Sequence, residues 1–430
     1  MKTLLEWLDH LERLHPKGQG GIELGLDRVA CVKAALQQKA SGPVIVVGGT
    51  NGKGSTCAYL EAIYAAAGYR VGCYTSPHLV DYNERVRVDR GPIDDDALCE
   101  AFSRVEAARQ AAGNVALTYF EFGTLAAWEV FARRGVDVTI LEVGLGGRLD
   151  AVNVYDADCA IVTGIAIDHT DWLGPTRETI GFEKAGIFRP AAGGRVAICA
   201  DPQPPQSLLG HAARIGADLR LFGRDFGFSS EREGWTFLVT GAVRLENLPC
   251  PALIGDYQLR NATAALMAID VLGGQLVVTP ENVRRGLLEP DLKGRFQRLP
   301  GRPTIVLDVA HNPQATGAFA ANLDAMEGFA QTIAVVGMLR DKDMAGALAP
   351  LAGRVDRWLV AGLDVPRGAV AEALVSVIET NRLGGLVERF ESPAAAFAYA
   401  GRVASENDRI IVFGSFYTVA AVLRAVQNHG

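Results

Sequence analysis

The chain has 430 residues, 49% of them hydrophobic, which is more than one hydrophobic core usually accommodates and predicts two domains. Its 42 basic and 49 acidic residues give a formal net charge of −7, which argues against a large sequence-independent nucleic-acid surface. The sequence has seven cysteines and no CxxC pair, which predicts reduced thiols. Acidic residues interrupt the first helical stretch, and no apolar run approaches the ~20 residues of a membrane span. We therefore predict a cytoplasmic protein.

Short β-rich apolar runs alternate with longer segments of helical spacing in the first part of the chain. The predicted elements are strand 44–47, helix 56–67, strand 71–74, helices 96–111 and 120–133, and strands 138–143 and 160–163. Buried strands separated by helices predict a mainly parallel sheet. Ligands of such sheets bind outside the carboxyl ends of the strands, so residues directly after a predicted strand are site candidates.

The same alternation starts again after about residue 291. Strands are predicted at 304–308, 333–337, 358–361 and 410–413, with helices at 313–325 and 419–427. Residues 289–295 combine proline, glycine and charge, as an exposed linker would. We therefore predict an α/β fold with an N-terminal domain of residues 1–291 and a smaller, Rossmann-like C-terminal domain of residues 292–430.

A glycine-rich turn follows the first predicted strand and has the sequence Gly48-Gly49-Thr50-Asn51-Gly52-Lys53-Gly54-Ser55-Thr56. The ordinary phosphate loop has four residues between its first glycine and Gly-Lys, whereas this turn has three, and Gly54 separates the lysine from the hydroxyls. The chemistry still suits a triphosphate, because glycines let backbone N–H groups converge, a helix start adds positive potential and Lys53 adds a charge. The first domain is thus predicted to be a P-loop ATPase.

Polar residues also follow three further predicted strands, namely Ser76, Glu142 and His169. Magnesium accompanies bound nucleotides and prefers oxygen ligands, so histidine is an unusual member of this set. Glu142 is the strongest candidate, because its carboxylate would otherwise be an awkward charge at the end of a buried strand. The structural alternatives are a turn cap for Ser76, an arginine partner for Glu142 and a hydrogen-bonding role for His169.

Other candidates have equally plain alternatives. Lys184 near a predicted helix end is either a snorkelling surface lysine or, if carbamylated, a metal-binding acid. Asn261 opens a helix-like run and is either its cap or a ligand contact, and Arg295 in the linker is either solvated or faces a phosphate. Asp308 and His311 end a predicted strand, where Asn312 as a helix cap and a surface histidine are the alternatives.

Taken together, these motifs resemble the folylpolyglutamate synthase/dihydrofolate synthase family, relatives of the Mur ligases, almost from end to end. The resemblance is carried by residues 49–55, 75–79, 141–150, 168–170, 183–187, 308–313 and 414–416. The unusual spacing of the phosphate loop is this family's own form. The resemblance implies ATP contacts from Asn51, Gly52, Lys53, Gly54, Ser55, Asn261, Arg295 and Asp308. It also implies Mg²⁺ ligands at Ser76, Glu142 and His169 and carbamylation of Lys184.

The pterin side has counterparts as well. Three segments match the dihydropteroate-binding segments of the bifunctional bacterial enzymes: Leu24, Gly25, Leu26 and Asp27; Thr118, Tyr119, Phe120 and Glu121; and Leu149, Asp150 and Ala151. By themselves the first two are a helix start and a capped helix with an aromatic core residue. The resemblance implies that Phe120 would stack on a pterin and that Asp150 would bond its amino edge.

The resemblance implies an ATP-dependent amide ligase that adds L-glutamate to dihydropteroate and to tetrahydrofolate (poly)glutamates through an acyl phosphate. The catalytic groups would be Lys53, Lys184, His169 and His311. No nucleic-acid or membrane partner is expected, and we expect a monomer. The alternatives are a Mur-type ligase acting on a nucleotide-linked cell-wall precursor, which usually carries an additional N-terminal domain, and a nucleotide-dependent switch without ligase chemistry.

Overall fold

The computed structural model describes residues 2–16, 21–38, 42–231 and 234–427. They form two compact α/β units. The first unit takes in Met1–His78, Tyr82–Ala252 and Asp256–Asp291, and the second takes in Leu79–Asp81, Leu253–Gly255 and Leu292–Gly430. The predicted fold class is confirmed. None of the helices in the described ranges combines the length and apolar character that crossing a membrane requires.

The first unit is built on an eight-stranded sheet with the order β4-β3-β2-β5-β1-β6-β7-β8. Its strands are β1 (Val44–Gly48), β2 (Val71–Tyr74), β3 (Val86–Val88), β4 (Gly91–Pro92), β5 (Val138–Glu142), β6 (Cys159–Val162), β7 (Val196–Cys199) and β8 (Asp218–Leu221). Strands β2, β5, β1, β6, β7 and β8 pair in parallel with their neighbours. At one edge of the sheet, β3 pairs antiparallel with both β2 and β4. For β1, β2, β5 and β6, the predicted ends differ from the observed ends by at most one residue. Both faces of these strands are buried, so each strand is a continuous apolar run that the sequence shows directly.

The described part of the first unit also contains ten α-helices. They are α1 (Leu4–Leu14), α2 (Asp27–Leu36), α3 (Lys53–Ala66), α4 (Asp95–Ala111), α5 (Tyr119–Arg134), α6 (Thr170–Leu173), α7 (Arg177–Ala185), α8 (Gln206–Ile215), α9 (Asp256–Val271) and α10 (Pro280–Leu288). Helix α5 shows why such boundaries are readable: a capping box of Thr118 and Glu121 begins it, and Gly135 ends it at a φ of 58°.

A small antiparallel sheet of the first unit was not predicted from the sequence. It has the order β11-β10-β9 and consists of β9 (Phe226–Glu231), β10 (Gly234–Val239) and β11 (Ala242–Leu248). Nearly all of β11 is exposed, so its sequence lacks the apolar alternation that signals a half-buried strand.

The second unit has a six-stranded sheet with the order β12-β13-β17-β14-β15-β16. Its strands are β12 (Gln297–Leu299), β13 (Thr304–Leu307), β14 (Thr332–Val336), β15 (Arg357–Ala361), β16 (Leu386–Phe390) and β17 (Arg409–Phe413). Only β12 is antiparallel. The helices are α11 (Pro313–Asp324), α12 (Met344–Leu348), α13 (Ala371–Thr380), α14 (Pro393–Val403) and α15 (Phe416–Gln427). The half-exposed edge strand β16 was not predicted, for the same reason as β11.

Candidate active site

The carboxyl ends of four neighbouring parallel strands bring the site candidates of the first unit to one edge of the sheet. Strands β2, β5, β1 and β6 are adjacent in that order. Ser76 follows β2, Glu142 ends β5, the glycine-rich loop follows β1 and Thr163 follows β6. Parallel strands place these groups at the same edge, where an open α/β sheet binds its ligand.

The glycine-rich loop has the geometry of a phosphate cradle. Gly49 and Gly52 have φ values of 140° and 93°, and Gly52 precedes α3 without a side-chain cap. The first turn of α3 contains no acidic residue, so the positive end of the helix is available to an anion. Lys53 folds back over the loop, and its Nζ donates to the carbonyls of Gly49 at 3.1 Å and Thr50 at 3.2 Å. A phosphate would replace these weak carbonyl contacts with an ionic one.

Thr163 holds this loop in place and was missed by the sequence-based prediction. Its buried Oγ1 donates to the carbonyls of Asn51 at 2.7 Å and Gly48 at 3.1 Å. The hydroxyl of Thr50 in turn donates to the carbonyl of Ala166 at 3.1 Å. The signal that could have found Thr163 was its position at the end of predicted strand 160–163.

Asn261 lies against the loop rather than at a helix start. It is inside α9, so its interpretation as the cap of that helix is wrong. A Cβ added at Gly52 would overlap the Asn261 side chain, whose Nδ2 donates to Oε1 of Gln258 at 3.0 Å. A 16-residue helix and the phosphate loop therefore meet at the position where the sequence predicted a nucleotide contact.

Two of the three predicted metal ligands are in contact. The backbone N–H of Ser76 donates to Oε2 of Glu142 at 3.1 Å, and the Glu142 side chain is buried. A buried carboxylate beside a serine is an oxygen donor set that fits a hard cation. His169 is half-buried, has a φ of 52° and precedes α6, and its N–H donates to the Asp168 carboxylate at 2.8 Å. Within the described residues, no three or more His, Cys, Asp and Glu side chains come together as a metal-binding group.

Lys184 is buried, with 3% of its surface exposed, so its interpretation as a snorkelling surface lysine is wrong. Burial and, secondly, the nearby charge of Lys53 lower the pKa of its amine to about 7, against the opposing effect of Asp168 and Asp150. Close to neutral pH, a large fraction of this amine is therefore uncharged and nucleophilic.

Hydrogen bonds connect the predicted pterin-binding segments, either directly or through a residue next to a segment. The N–H of Gly25 donates to the carbonyl of Leu149 at 3.3 Å. Arg28 directly follows the first segment, and its guanidinium donates to Glu23 at 2.6 Å and to Glu121 of the second segment at 2.9 Å. The sequence did not single out Arg28, and no local pattern connects it with a residue 93 positions away.

Within these segments the residues differ in what they can offer a ligand. Thr118 and Glu121 form the predicted helix cap, and Phe120 is half-buried beside Gly144, with its ring centroid 5.8 Å from that of Tyr74. Asp150 accepts hydrogen bonds from the N–H groups of Leu145 at 2.8 Å and Val152 at 3.1 Å. Burial nevertheless raises the pKa of Asp150 to about 7. Tyr119 is buried, Ala151 is buried and Asp27 is exposed.

In the second unit, the buried carboxylate of Asp308 directly follows β13. It accepts hydrogen bonds from the N–H groups of Phe296 and Ala310, both at 2.8 Å, and burial raises its pKa while the charge of Arg295 opposes that shift. The Arg295 guanidinium lies 5.2 Å from the Phe416 ring centroid. His311 contacts the carbonyl of Val309 through Nδ1 at 2.8 Å.

Asn312 caps α11 by accepting a hydrogen bond from the N–H of Ala315. The structural alternative for this residue is therefore confirmed. Asp308 and His311 are left as the candidates of this strand end.

Two family models match the chain. The Mur ligase middle domain matches residues 47–269, and the Mur ligase glutamate ligase domain matches residues 294–416. The first match includes the phosphate loop, and the second includes the Asp308 strand end.

Full-length relatives share both units. The dihydrofolate synthase/folylpolyglutamate synthase of Escherichia coli is 45% identical over 99% of this chain and 96% of its own length. The structure of E. coli FolC in complex with DHPP and ADP is 44% identical, covers 100% of this chain and 98% of its own and has a TM-score of 0.92. A bifunctional folylpolyglutamate synthase/dihydrofolate synthase with Mn, AMPPNP and L-glutamate bound is 42% identical, covers 99% and 98%, and has a TM-score of 0.89.

Proposed function

The chain belongs to the dihydrofolate synthase/folylpolyglutamate synthase family of Mur ligases, and we propose that one ATP-dependent site joins L-glutamate to dihydropteroate and to reduced folates. The observation that carries this function is the convergence of the phosphate loop, Ser76, Glu142 and Lys184 with three pterin-type segments in a chain that matches these ligases from end to end. A Mur-type ligase for a cell-wall precursor is not favoured, because the full-length relatives are folate ligases.

The reaction must activate a carboxylate, because joining it directly to an amine in water is uphill. A pteroate or folate carboxylate oxygen attacks the γ-phosphorus of ATP, and the bond from that phosphorus to the β–γ bridging oxygen breaks, giving an acyl phosphate and ADP. The glutamate amine then attacks the acyl carbon, loses a proton and expels inorganic phosphate. Lys53 and the N–H groups at the start of α3 stabilise charge on the transferring group.

We assign the metal to Ser76, Glu142 and His169. A bound Mg²⁺ would neutralise charge on the phosphate oxygens. The contact between Ser76 and the buried Glu142 carboxylate supports this assignment, since it brings two oxygen-bearing side chains of the kind Mg²⁺ prefers to the same edge of the sheet. His169 is assigned by the family pattern and by its place at the start of α6.

We also propose that Lys184 is carbamylated. Its neutral Nζ would attack the carbon of CO₂, form a C–N bond and release one proton, which leaves a carbamate anion in place of an amine. Burial supports this step, because it lowers the pKa of the amine to about 7 and so supplies the neutral nucleophile. A carbamate would add a second acidic group to the site.

Binding of the pterin is assigned to the segments at Leu24–Asp27, Thr118–Glu121 and Leu149–Ala151. The half-buried Phe120 ring offers a stacking surface, and the buried Asp150 carboxyl offers a hydrogen-bonding edge. Glu121 acts indirectly, because Arg28 and the cap of α5 already occupy its carboxylate.

The remaining assignments follow the family pattern. Asn51, Gly52, Gly54, Ser55, Asn261, Arg295 and Asp308 contact ATP, and His311 orients glutamate or phosphate. We propose domains of residues 1–291 and 292–430, a monomer and a cytoplasmic location. All seven cysteines are free thiols, which supports a reducing compartment.

The decisive experiment measures phosphate release and product mass with dihydropteroate or tetrahydrofolate, each with and without L-glutamate. We expect phosphate release only when a pterin and glutamate are both present, with a product heavier by one glutamyl residue. CO₂-equilibrated protein that fails with both pterins would refute the assignment. Phosphate release without either substrate would instead support a nucleotide-dependent switch.

A further inference from the structure

Arg85 carries a positive charge that has no carboxylate partner in the described part of the chain. Its Nε donates to Nδ1 of His78 at 2.8 Å, and no described Asp or Glu oxygen lies within 4.0 Å of its guanidinium. The nearby Arg87 is different, since its Nη2 lies 2.7 Å from Oε2 of the buried Glu61. A half-buried guanidinium without a counter-ion indicates an anionic ligand.

The backbone of Arg85 is fixed beside the catalytic edge of the sheet. Its carbonyl accepts a hydrogen bond from the N–H of Thr75 at 2.9 Å. Thr75 directly precedes Ser76, whose own N–H donates to Glu142. One backbone hydrogen bond therefore holds Arg85 next to Ser76, a proposed metal ligand.

The side chain of Arg85 lies against two aromatic rings, one of which belongs to the second pterin segment. Its guanidinium carbon lies 5.2 Å from the ring centroid of Tyr82 and 5.6 Å from that of Tyr119. Tyr119 is the immediate neighbour of Phe120, the proposed stacking residue. The two buried rings restrict the guanidinium and leave it pre-organised for a planar anion.

We propose that Arg85 binds the carboxylate of a folate substrate that does not react. The inference rests on the proposed function. It names a residue that would contact folate substrates and not dihydropteroate. Dihydropteroate has one carboxylate, which must be phosphorylated near Lys53. A folate ends in a glutamyl group with two carboxylates, so one anion is left over when the other reacts, and the fork of Arg85 matches its geometry.

The test compares Arg85→Gln with wild type on dihydropteroate and on tetrahydrofolate. We expect the KM for tetrahydrofolate to rise about 10- to 100-fold and the KM for dihydropteroate to change by less than about threefold. Arg85→Lys should lie between the two proteins, because it keeps the charge and loses the fork. Arg133→Gln is the control, since Arg133 pairs with the exposed Glu100 on the surface and should change neither KM.

A substrate analogue tests the same contact without any variant. Each of the two carboxylates of the terminal glutamate can be replaced by an amide. The monoamide that still reacts has lost the carboxylate that does not react. Wild type should bind this monoamide about 10- to 100-fold more weakly than tetrahydrofolate. Arg85→Gln should not distinguish the two compounds. Equal losses on both pterins, or a monoamide as good as tetrahydrofolate, would overturn the role of Arg85. A wild-type protein inactive with both pterins would overturn the proposed function itself.

Discussion

Asn261 fills the space that a side chain at Gly52 would need. The contact joins helix α9 to a phosphate loop that is distant from it in sequence. It makes the glycine obligatory for two separate reasons, a φ of 93° and a steric one. The shape of the loop thus depends on a helix that the loop sequence does not reveal.

Gly52→Ala should therefore lower the activity with ATP by more than the strain of a left-handed backbone conformation alone would. We expect kcat/KM for ATP to fall about 100-fold, because displacing Asn261 and the loop misplaces the phosphates. Gly68→Ala is the matched control: Gly68 has a φ of 88° but open space around it, so only the left-handed backbone cost of about 1–2 kcal/mol should appear in urea unfolding. Equal kinetic effects of both variants would refute the role of Asn261.

Glu142→Gln should weaken the dependence of the reaction on divalent metal. Removing the charge while keeping the shape should raise the Mg²⁺ concentration needed for half-maximal rate about 10- to 100-fold. A Mg²⁺ titration of the rate measures this, and calorimetric Mn²⁺ binding measures it without turnover. Glu281→Gln, at a side chain 83% exposed, should leave both unchanged. A normal metal response in Glu142→Gln would remove this residue from the ligand set.

Arg28→Gln should weaken binding of the pterin substrate and leave binding of ATP unchanged. The change leaves the buried Glu121 without its cationic partner, so we expect a loss of about 2–3 kcal/mol in the free energy of unfolding. The KM for dihydropteroate should rise about tenfold as the first pterin segment loosens. Adding Glu121→Gln, which keeps the capping box, should recover part of the stability. An altered KM for ATP with an unaltered pterin KM would contradict this link.

Lys184 should make the stability of the CO₂-free protein depend on pH. Its folded pKa is about 7 against an ordinary value of 10.5, so between these values the unfolded chain holds more protons than the folded one. The lysine's contribution therefore becomes less destabilising as pH rises from about 7 towards 10, by roughly 1 kcal/mol per pH unit. Lys184→Met should abolish this component in urea unfolding measured from pH 7 to 9. The same slope in both proteins would exclude Lys184 as its source.

Addition of CO₂ provides the companion measurement. Carbamate formation needs the neutral amine, so the fraction of protein heavier by one CO₂ in gentle mass spectrometry should rise as pH increases through 7. Lys184→Met should show no such mass at any pH, and its activity should be lost while its fold is retained. An active, folded Lys184→Met protein would show that no carbamate is required.

The amino-acid sequence by itself determined the features that depend on neighbouring residues. Strands β1, β2, β5 and β6 are continuous apolar runs, and the phosphate loop is a glycine pattern, so both were readable locally. The exposed strand β11 was not, because it has no apolar pattern to detect. The family motifs supplied the candidate residues but could not describe their surroundings.

Only the tertiary structure decided which side chains are buried and which of them meet. A lysine in isolation belongs at the surface, yet packing of α7 buries Lys184 and shifts its proton equilibrium. The links between Arg28 and Glu121 and between Asn261 and Gly52 join distant parts of the chain. Such contacts are settled by the folding of the sheet and its helices as a whole, because proximity across a fold leaves no periodic trace in sequence.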